Sequence, residues 1–176
     1  SFNLPADNFF DIVNSRPKLP ATLSATFAQI VGYWNEIFPK SVNIIIIFPP
    51  IIFLISFFKD KVLILLWLFL MLFFSGKLFI MGMMEGIMAI YFVSGILITY
   101  KISITKVQSE KRLLYFLMFL FFTILSLCKN EGTIMILMIL LSSVFINLIY
   151  EKKINYNFLF VSSISLIPIL FWKYII

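Results

Sequence analysis

The 176-residue sequence has no histidine, a single cysteine and only 12% charged residues. Each shortage closes off chemistry. Without histidine there is no Ser-His-Asp or Cys-His nucleophile, no histidine-ligated zinc or haem, and no imidazole proton relay. The lone Cys128 forbids an internal disulfide and any cysteine-cluster metal site, and its apolar surroundings mark an inert packed thiol. The scarcity of charge excludes a water-soluble enzyme, because soluble domains carry about 25% charged residues to cover their surface. A Gly-rich nucleotide loop, a Walker motif and an internal repeat are also missing, which removes support for ATP-driven transport and for an inverted-repeat transporter.

What is there in abundance is apolar: 62% of residues are hydrophobic, 22 of them phenylalanine, and the mean hydropathy is +1.07. The class that fits is an all-α membrane protein. Acid–base or metal chemistry is left to eight carboxylates: Asp7, Asp11, Glu36, Asp60, Glu85, Glu110, Glu131 and Glu151. The net charge of +6 does not indicate nucleic acid, since the basic residues are scattered between apolar runs with no arginine stripe. The chain begins at Ser1 without a signal peptide, and the expectation is a fragment of a longer membrane protein.

Residues 1–41 have ordinary polarity and form a first unit. Asn3, Asp7, Asn8, Asp11, Asn14, Arg16 and Lys18 mix with Pro5, Pro17 and Pro20, which reads as a loop. From Pro20 the apolar residues Leu23, Phe27, Ile30, Val31, Trp34, Ile37 and Phe38 recur at helical spacing. Such an amphipathic helix suits the membrane interface, or equally a helix packed on other protein. Residues 42–176 form a second unit of six apolar runs, at 42–58, 62–75, 78–100, 113–128, 133–150 and 158–172. A crossing needs about 20 residues, so the shorter runs must borrow flanking residues. Pro49-Pro50 and Pro168 are expected to kink the first and last spans.

Charge gives these spans an orientation. With the first span running outside to inside, the cytoplasmic loops carry Lys59, Lys61, Lys101, Lys106, Lys111, Arg112, Lys152 and Lys153. The opposite short connections carry only Lys77 and Lys129, with Lys173 after the last span, so from the first span onward the basic residues divide eight to three, as the positive-inside rule requires. Asp7, Asp11, Glu36, Glu85 and Glu131 then collect on the non-cytoplasmic side, while Asp60, Glu110 and Glu151 sit beside cytoplasmic lysines as plain solvated charges.

Two constellations stand out on the outer side. Glu85 lies within Ile80-Met-Gly-Met-Met-Glu-Gly-Ile-Met-Ala-Ile-Tyr91, with no lysine near it in sequence. An isolated ionisable group there costs a few kcal/mol unless it faces a wet cavity or a partner. Gly82 and Gly86 beside it would permit close approach, and the plainer reading is a carboxylate that reaches the interface. Lys129-Asn-Glu-Gly132 interrupts an apolar stretch of 38 residues. It is either a polar turn in which Lys129 and Glu131 partly neutralise each other, or a cation placed to hold an anionic head group. Asp7 and Asp11, spaced i, i+4, read by themselves as solvated loop acids.

The order of these parts resembles the membrane-embedded C-type glycosyltransferases, which use a polyprenyl-phosphate-linked sugar and include the protein mannosyltransferase and lipid A aminoarabinose transferase groups. Pro17-Lys-Leu-Pro-Ala-Thr-Leu-Ser24 and the following helix look like that family's proline segment and interfacial helix. Met81-Gly-Met-Met-Glu-Gly-Ile-Met-Ala-Ile-Tyr-Phe92 is similar to its Gly-Tyr-Ala-Asp-like motif, with Glu85 where Asp is usual. Ser126-Leu-Cys-Lys-Asn-Glu-Gly132 is similar to its Thr-Lys-x-Glu-Gly-like turn. The resemblance implies sugar transfer at the outer face of a bacterial inner membrane, inverting the linkage. Asp7 or Asp11 would then be the base, or an acid upstream of Ser1. Glu85 would orient the acceptor or a divalent metal, and Lys129 would bind the donor phosphate, supported by Asn130 and Glu131. The family's first span is missing here. The expected partners are membrane lipids, the lipid-linked donor and an acceptor; nucleic acid is not among them. A transporter would instead need Glu85 near the bilayer midplane, and a non-catalytic scaffold would let Glu85 and Lys129 point apart.

Overall fold

The computed structural model describes residues 19–33, 35, 37–57, 60, 62–66, 69–70, 73, 84–150 and 155–175. These residues are helical with short connections and no strand among them. Among the described residues seven helices of nine or more residues follow one another: α1 (Leu19–Val31), α2 (Ile37–Ile55), α3 (Met84–Ile104), α4 (Gln108–Cys128), α5 (Asn130–Tyr150), α6 (Tyr156–Ser165) and α7 (Ile167–Ile175). Two of them, α3 and α4, are long and apolar enough to cross a membrane.

The amphipathic stretch expected to run from Pro20 to Phe38 divides in two. Gly32 adopts φ +86° and its amide donates to Ala28 O at 2.9 Å, which closes α1 in the left-handed conformation that only glycine takes without strain. Asn35 then opens α2: its Oδ1 accepts from the amides of Ile37 at 2.9 Å and Phe38 at 3.2 Å. Helix α2 accordingly begins at Ile37, one turn ahead of its apolar stretch Ser41–Ile55. Helix α1 packs on α2 and α4 through Pro20, Leu23 and Ser24, leaving Phe27, Ile30 and Val31 exposed. Of the two readings of this helix, packing on other protein is the one its buried face shows.

The last apolar run, Tyr156–Trp172, is interrupted at Leu166, as a kink at Pro168 led one to expect, and divides there into α6 and α7. Pro168 has no amide to continue the helix, and the break falls two residues earlier, at Leu166. The Ser165 carbonyl, freed by the break, lies 3.4 Å from the Thr123 hydroxyl of α4. Asn155 caps α6 by accepting from Phe158 N, and its side chain also exchanges hydrogen bonds with the Tyr115 hydroxyl of α4 at 3.0 and 3.1 Å. Asp60, read from sequence as a merely solvated charge, is exposed but also caps the helical piece at 62–66 by accepting from Val62 N at 2.9 Å. The rest of the 62–75 run lies largely outside the described residues, as do Asp7, Asp11, Glu36 and the 151–154 loop.

Helix α4 is the central post, touching α1, α3, α5, α6 and α7, while α3 also packs on α2 and α5. Its core residues Met118, Phe121, Phe122 and Leu125 meet Ile87, Tyr91 and Ile98 of α3 and Ile136 of α5, all fully or almost fully buried. Tyr91 and Phe53 both set a ring edge-on to Phe121, at 5.2 and 5.7 Å between centroids, in the favoured T-shaped geometry. One hydrogen bond locks this cluster. Pro50 lacks the amide that would reach back to Ile46 O, and the buried Tyr91 hydroxyl donates to that carbonyl at 2.6 Å. The prolines thus lie inside a continuous α2, and a neighbouring helix supplies the hydrogen bond that Pro50 removes.

Apolar side chains also face outward: Ile44, Phe48 and Ile52 on α2, Val93 and Ile96 on α3, Leu113 and Phe116 on α4, and Leu137, Leu141 and Phe145 on α5.

Candidate functional site

The site is built by a one-residue reversal. Helix α4 ends at Cys128, Lys129 is extended with φ −165° and ψ 157°, and α5 starts at Asn130. The helices can turn so tightly because Gly132 lies against the end of α4. A Cβ built on Gly132 would lie 1.9 Å from the Leu125 carbonyl oxygen, closer than any side chain allows. The Gly132 amide donates to Lys129 O at 2.9 Å and ties the turn down. Lys129 is thereby aimed at the first turn of α3.

There it meets Glu85. The Lys129 Nζ donates to Glu85 Oε1 at 3.0 Å, joining residues 44 positions apart in sequence, and Glu131 Oε1 lies 3.6 Å from the same nitrogen. Helix electrostatics favour the two carboxylates, since Glu85 and Glu131 occupy the first turns of α3 and α5. Lys129 instead lies between the last carbonyls of α4 and the first amides of α5, whose effects on its charge oppose each other. The hydrogen bond to Glu85 first, then the charges of Glu85 and Glu131, hold the Lys129 ammonium protonated above its ordinary pKa of 10.5. The side chains of Lys129 and Glu85 are 31% and 68% exposed, so this pair adds little to stability and stays open to a ligand.

Two polar atoms complete the surroundings. Asn130 Oδ1 and Thr133 Oγ1, one helical turn apart at the start of α5, are buried without a hydrogen-bond partner. Such orphans are rare in folded proteins and mark places where water or ligand atoms belong. Thr133 carried no signal in the sequence beyond its spacing of four from Lys129. Tyr91 was likewise legible only through Pro50, whose missing amide requires a donor from elsewhere.

The residues anticipated from sequence thus divide. Glu85, Lys129 and Glu131 come together, with Asn130 beside them; Asp7 and Asp11 lie outside the described residues. Among the described residues no group of three or more His, Cys, Asp or Glu is placed to hold a metal ion. The two carboxylates here share a lysine, and they offer a divalent cation too few ligands. Cys128 is buried, as its apolar run suggested. No protein-family model matches the chain, and neither a curated protein nor a solved structure matches it.

Proposed function

We propose that the chain belongs to a multi-pass membrane protein that transfers a sugar from a polyprenyl-phosphate-linked donor to an acceptor at the non-cytoplasmic face. The observation that carries this reading is the meeting of Glu85 and Lys129 at one end of the helices, joining the two motifs that resemble the C-type glycosyltransferases.

Membrane placement is supported by where the apolar residues face. Only 44% of the apolar stretch of α3 and 39% of that of α4 are buried within the protein, whereas the core helix of a soluble protein is mostly buried. The outward remainder suits an apolar solvent. Helices α2, α3, α4 and α5 and the α6–α7 pair would then make five crossings, and the apolar run 62–75 of the sequence would be the sixth. Lys101, Lys106, Lys111 and Arg112 cluster where α3 passes into α4, at the opposite end from Glu85, which fits a cytoplasmic loop.

In the resting site Lys129 keeps company with two carboxylates. A donor phosphate would displace Glu131, the more distant of them, and Lys129 would stabilise the charge that develops as the phosphate leaves the anomeric carbon. The acceptor oxygen forms the new bond to that carbon from the opposite side, and its proton passes to a carboxylate. Glu85 orients the acceptor, and Asn130 and Thr133 offer unpaired polar atoms to its hydroxyls or to those of the sugar. A transporter fits less well, because the described carboxylates Asp60, Glu85, Glu110 and Glu131 are all exposed and none lies deep between helices.

The test supplies membranes containing the chain with mannosyl polyprenyl phosphate labelled in the sugar, and follows loss of label from the lipid. Lys129→Ala should slow the loss by about 100-fold, typical for removing a single charge-stabilising donor. Glu85→Gln should slow it at least about tenfold. A folded variant of either kind with undiminished transfer would sink the assignment.

A further inference from the structure

A second feature lies away from the charged turn, in a groove between α3 and α5 of about 480 Å³. The two helices both begin at the Glu85–Lys129 site, so they run side by side in the same direction. The groove starts at Phe92 and Met138, about two turns along, and reaches Ile104 and Asn147 near the far ends. Its composition changes along that axis. The near half is walled by Phe92, Ile96, Met138 and Ile139; the far half gathers Thr99, Tyr100, Ser103, Ser142, Ser143 and Asn147.

The hydroxyls of Thr99, Ser103 and Ser142 are spent on backbone carbonyls of their own helices. Ser143 is different: it is only 7% exposed, lines the groove and makes no hydrogen bond, and neither does the half-buried Asn147 amide one turn further on. Unpaired polar groups in an apolar setting cost free energy and mark an occupant that brings its own polar atoms. Beyond the polar end the charge is positive. Lys106 stands two residues past Ile104, and the 101–112 segment carries Lys101, Lys106, Lys111 and Arg112 against the single acid Glu110. Lys101 is already engaged over the Phe57 ring at 5.1 Å, whereas Lys106, two residues beyond the groove-lining Ile104, is exposed.

From this we infer that the groove is a binding site for one anionic glycerophospholipid. The acyl chain lies along Ile96 and Met138, the ester and glycerol oxygens meet Ser143 and Asn147, and the phosphate reaches the Lys106 side. An apolar chain, then polar linkage, then negative charge is the order in which the groove offers apolar wall, unpaired amide and hydroxyl, and lysine. This site is independent of the transferase reading and lies toward the opposite membrane face.

The experiment titrates delipidated full-length chain in neutral detergent with phosphatidylglycerol or phosphatidylcholine, counting bound lipids by native mass spectrometry. One phosphatidylglycerol per chain is expected, held about tenfold more tightly than phosphatidylcholine, since each basic residue near a lipid phosphate contributes roughly a fivefold preference. Lys106→Gln, in an exposed loop where folding is not at stake, should weaken it about fivefold. Ser142→Trp, which fills the groove from its rim, should abolish it. Equal binding of the two lipids, or full binding by both variants, would overturn the inference. So would a lipid-free dimer that Ser142→Trp dissociates, because the groove would then hold a second copy of the chain.

Discussion

Replacing Tyr91 with phenylalanine removes one oxygen from the middle of the helix cluster and leaves Ile46 O without a donor, because Pro50 cannot supply one. The ring stays, and with it the edge-on contact to Phe121, so packing is conserved. An orphaned buried carbonyl costs about 1–3 kcal/mol, and interhelical hydrogen bonds in membrane proteins reach about 1.7 kcal/mol. About 1.5 kcal/mol is the expected loss, equivalent to a fall in Tm of roughly 3–6 °C for a chain of this size. The structure makes a sharper claim through a double-mutant cycle. Pro50→Ala restores the helix amide, so Ile46 O keeps a partner when Tyr91 is truncated. Tyr91→Phe should then cost only about 0.5 kcal/mol, giving a coupling of about 1 kcal/mol between the two sites. Pro49→Ala is the control: its amide would serve Ile45 O, which Tyr91 does not touch, and it should not couple. Thermal unfolding in detergent of the wild type, the three single variants and the two doubles measures all of this. If Tyr91→Phe costs the same with and without Pro50, or couples equally to Pro49, the hydrogen-bond account is wrong.

Other consequences follow from the same geometry. Gly132→Ala drives a Cβ into the Leu125 backbone, which cannot move aside, so it should destabilise by about 3 kcal/mol and break the Lys129–Glu85 contact. Gly95→Ala meets only the Phe122 ring edge at 2.8 Å and the end of the Ile139 side chain at 3.0 Å, and about 1 kcal/mol is expected in the same unfolding assay. The Lys129 ammonium has a folded pKa raised above 10.5 and the Glu85 carboxyl one lowered below 4.5. The pair's contribution is therefore present between about pH 4.5 and pH 10.5, and is lost as pH falls through the folded carboxyl value or climbs through the folded lysine value. Glu85→Gln should bring that ionisation back toward the ordinary lysine value, as read by NMR of the Lys129 side chain. Topology can be checked with Cys128 changed to serine: a cysteine at Glu131 should react with an impermeant reagent on intact cells, and one at Lys106 only after permeabilisation.

Much of this protein was legible because its sequence is so one-sided. Without histidine, and with so little charge, the chemistry narrows to carboxylates and a few lysines, and apolar runs separated by charged turns specify helices by composition alone. The turn at Lys129 was visible because Lys-Asn-Glu-Gly breaks what is otherwise a largely apolar stretch of 38 residues. Helix ends were harder to place. Gly32, Asn35 and Leu166 set three of them through local backbone geometry that hydropathy does not register.

Tertiary structure alone decided which residues meet. Nothing in the spacing of Glu85 and Lys129 required them to touch; that contact depends on how closely α4 and α5 approach at Gly132 and on which face α3 turns toward them. The same holds for Tyr91, a residue indistinguishable in sequence from other aromatics until the carbonyl above Pro50 is placed against it. Apolar pattern fixes which segments become helices, because each must satisfy its own backbone. Pairing between helices is set by side-chain shape and by the few polar groups that need a partner, and those terms become defined only when the helices are packed.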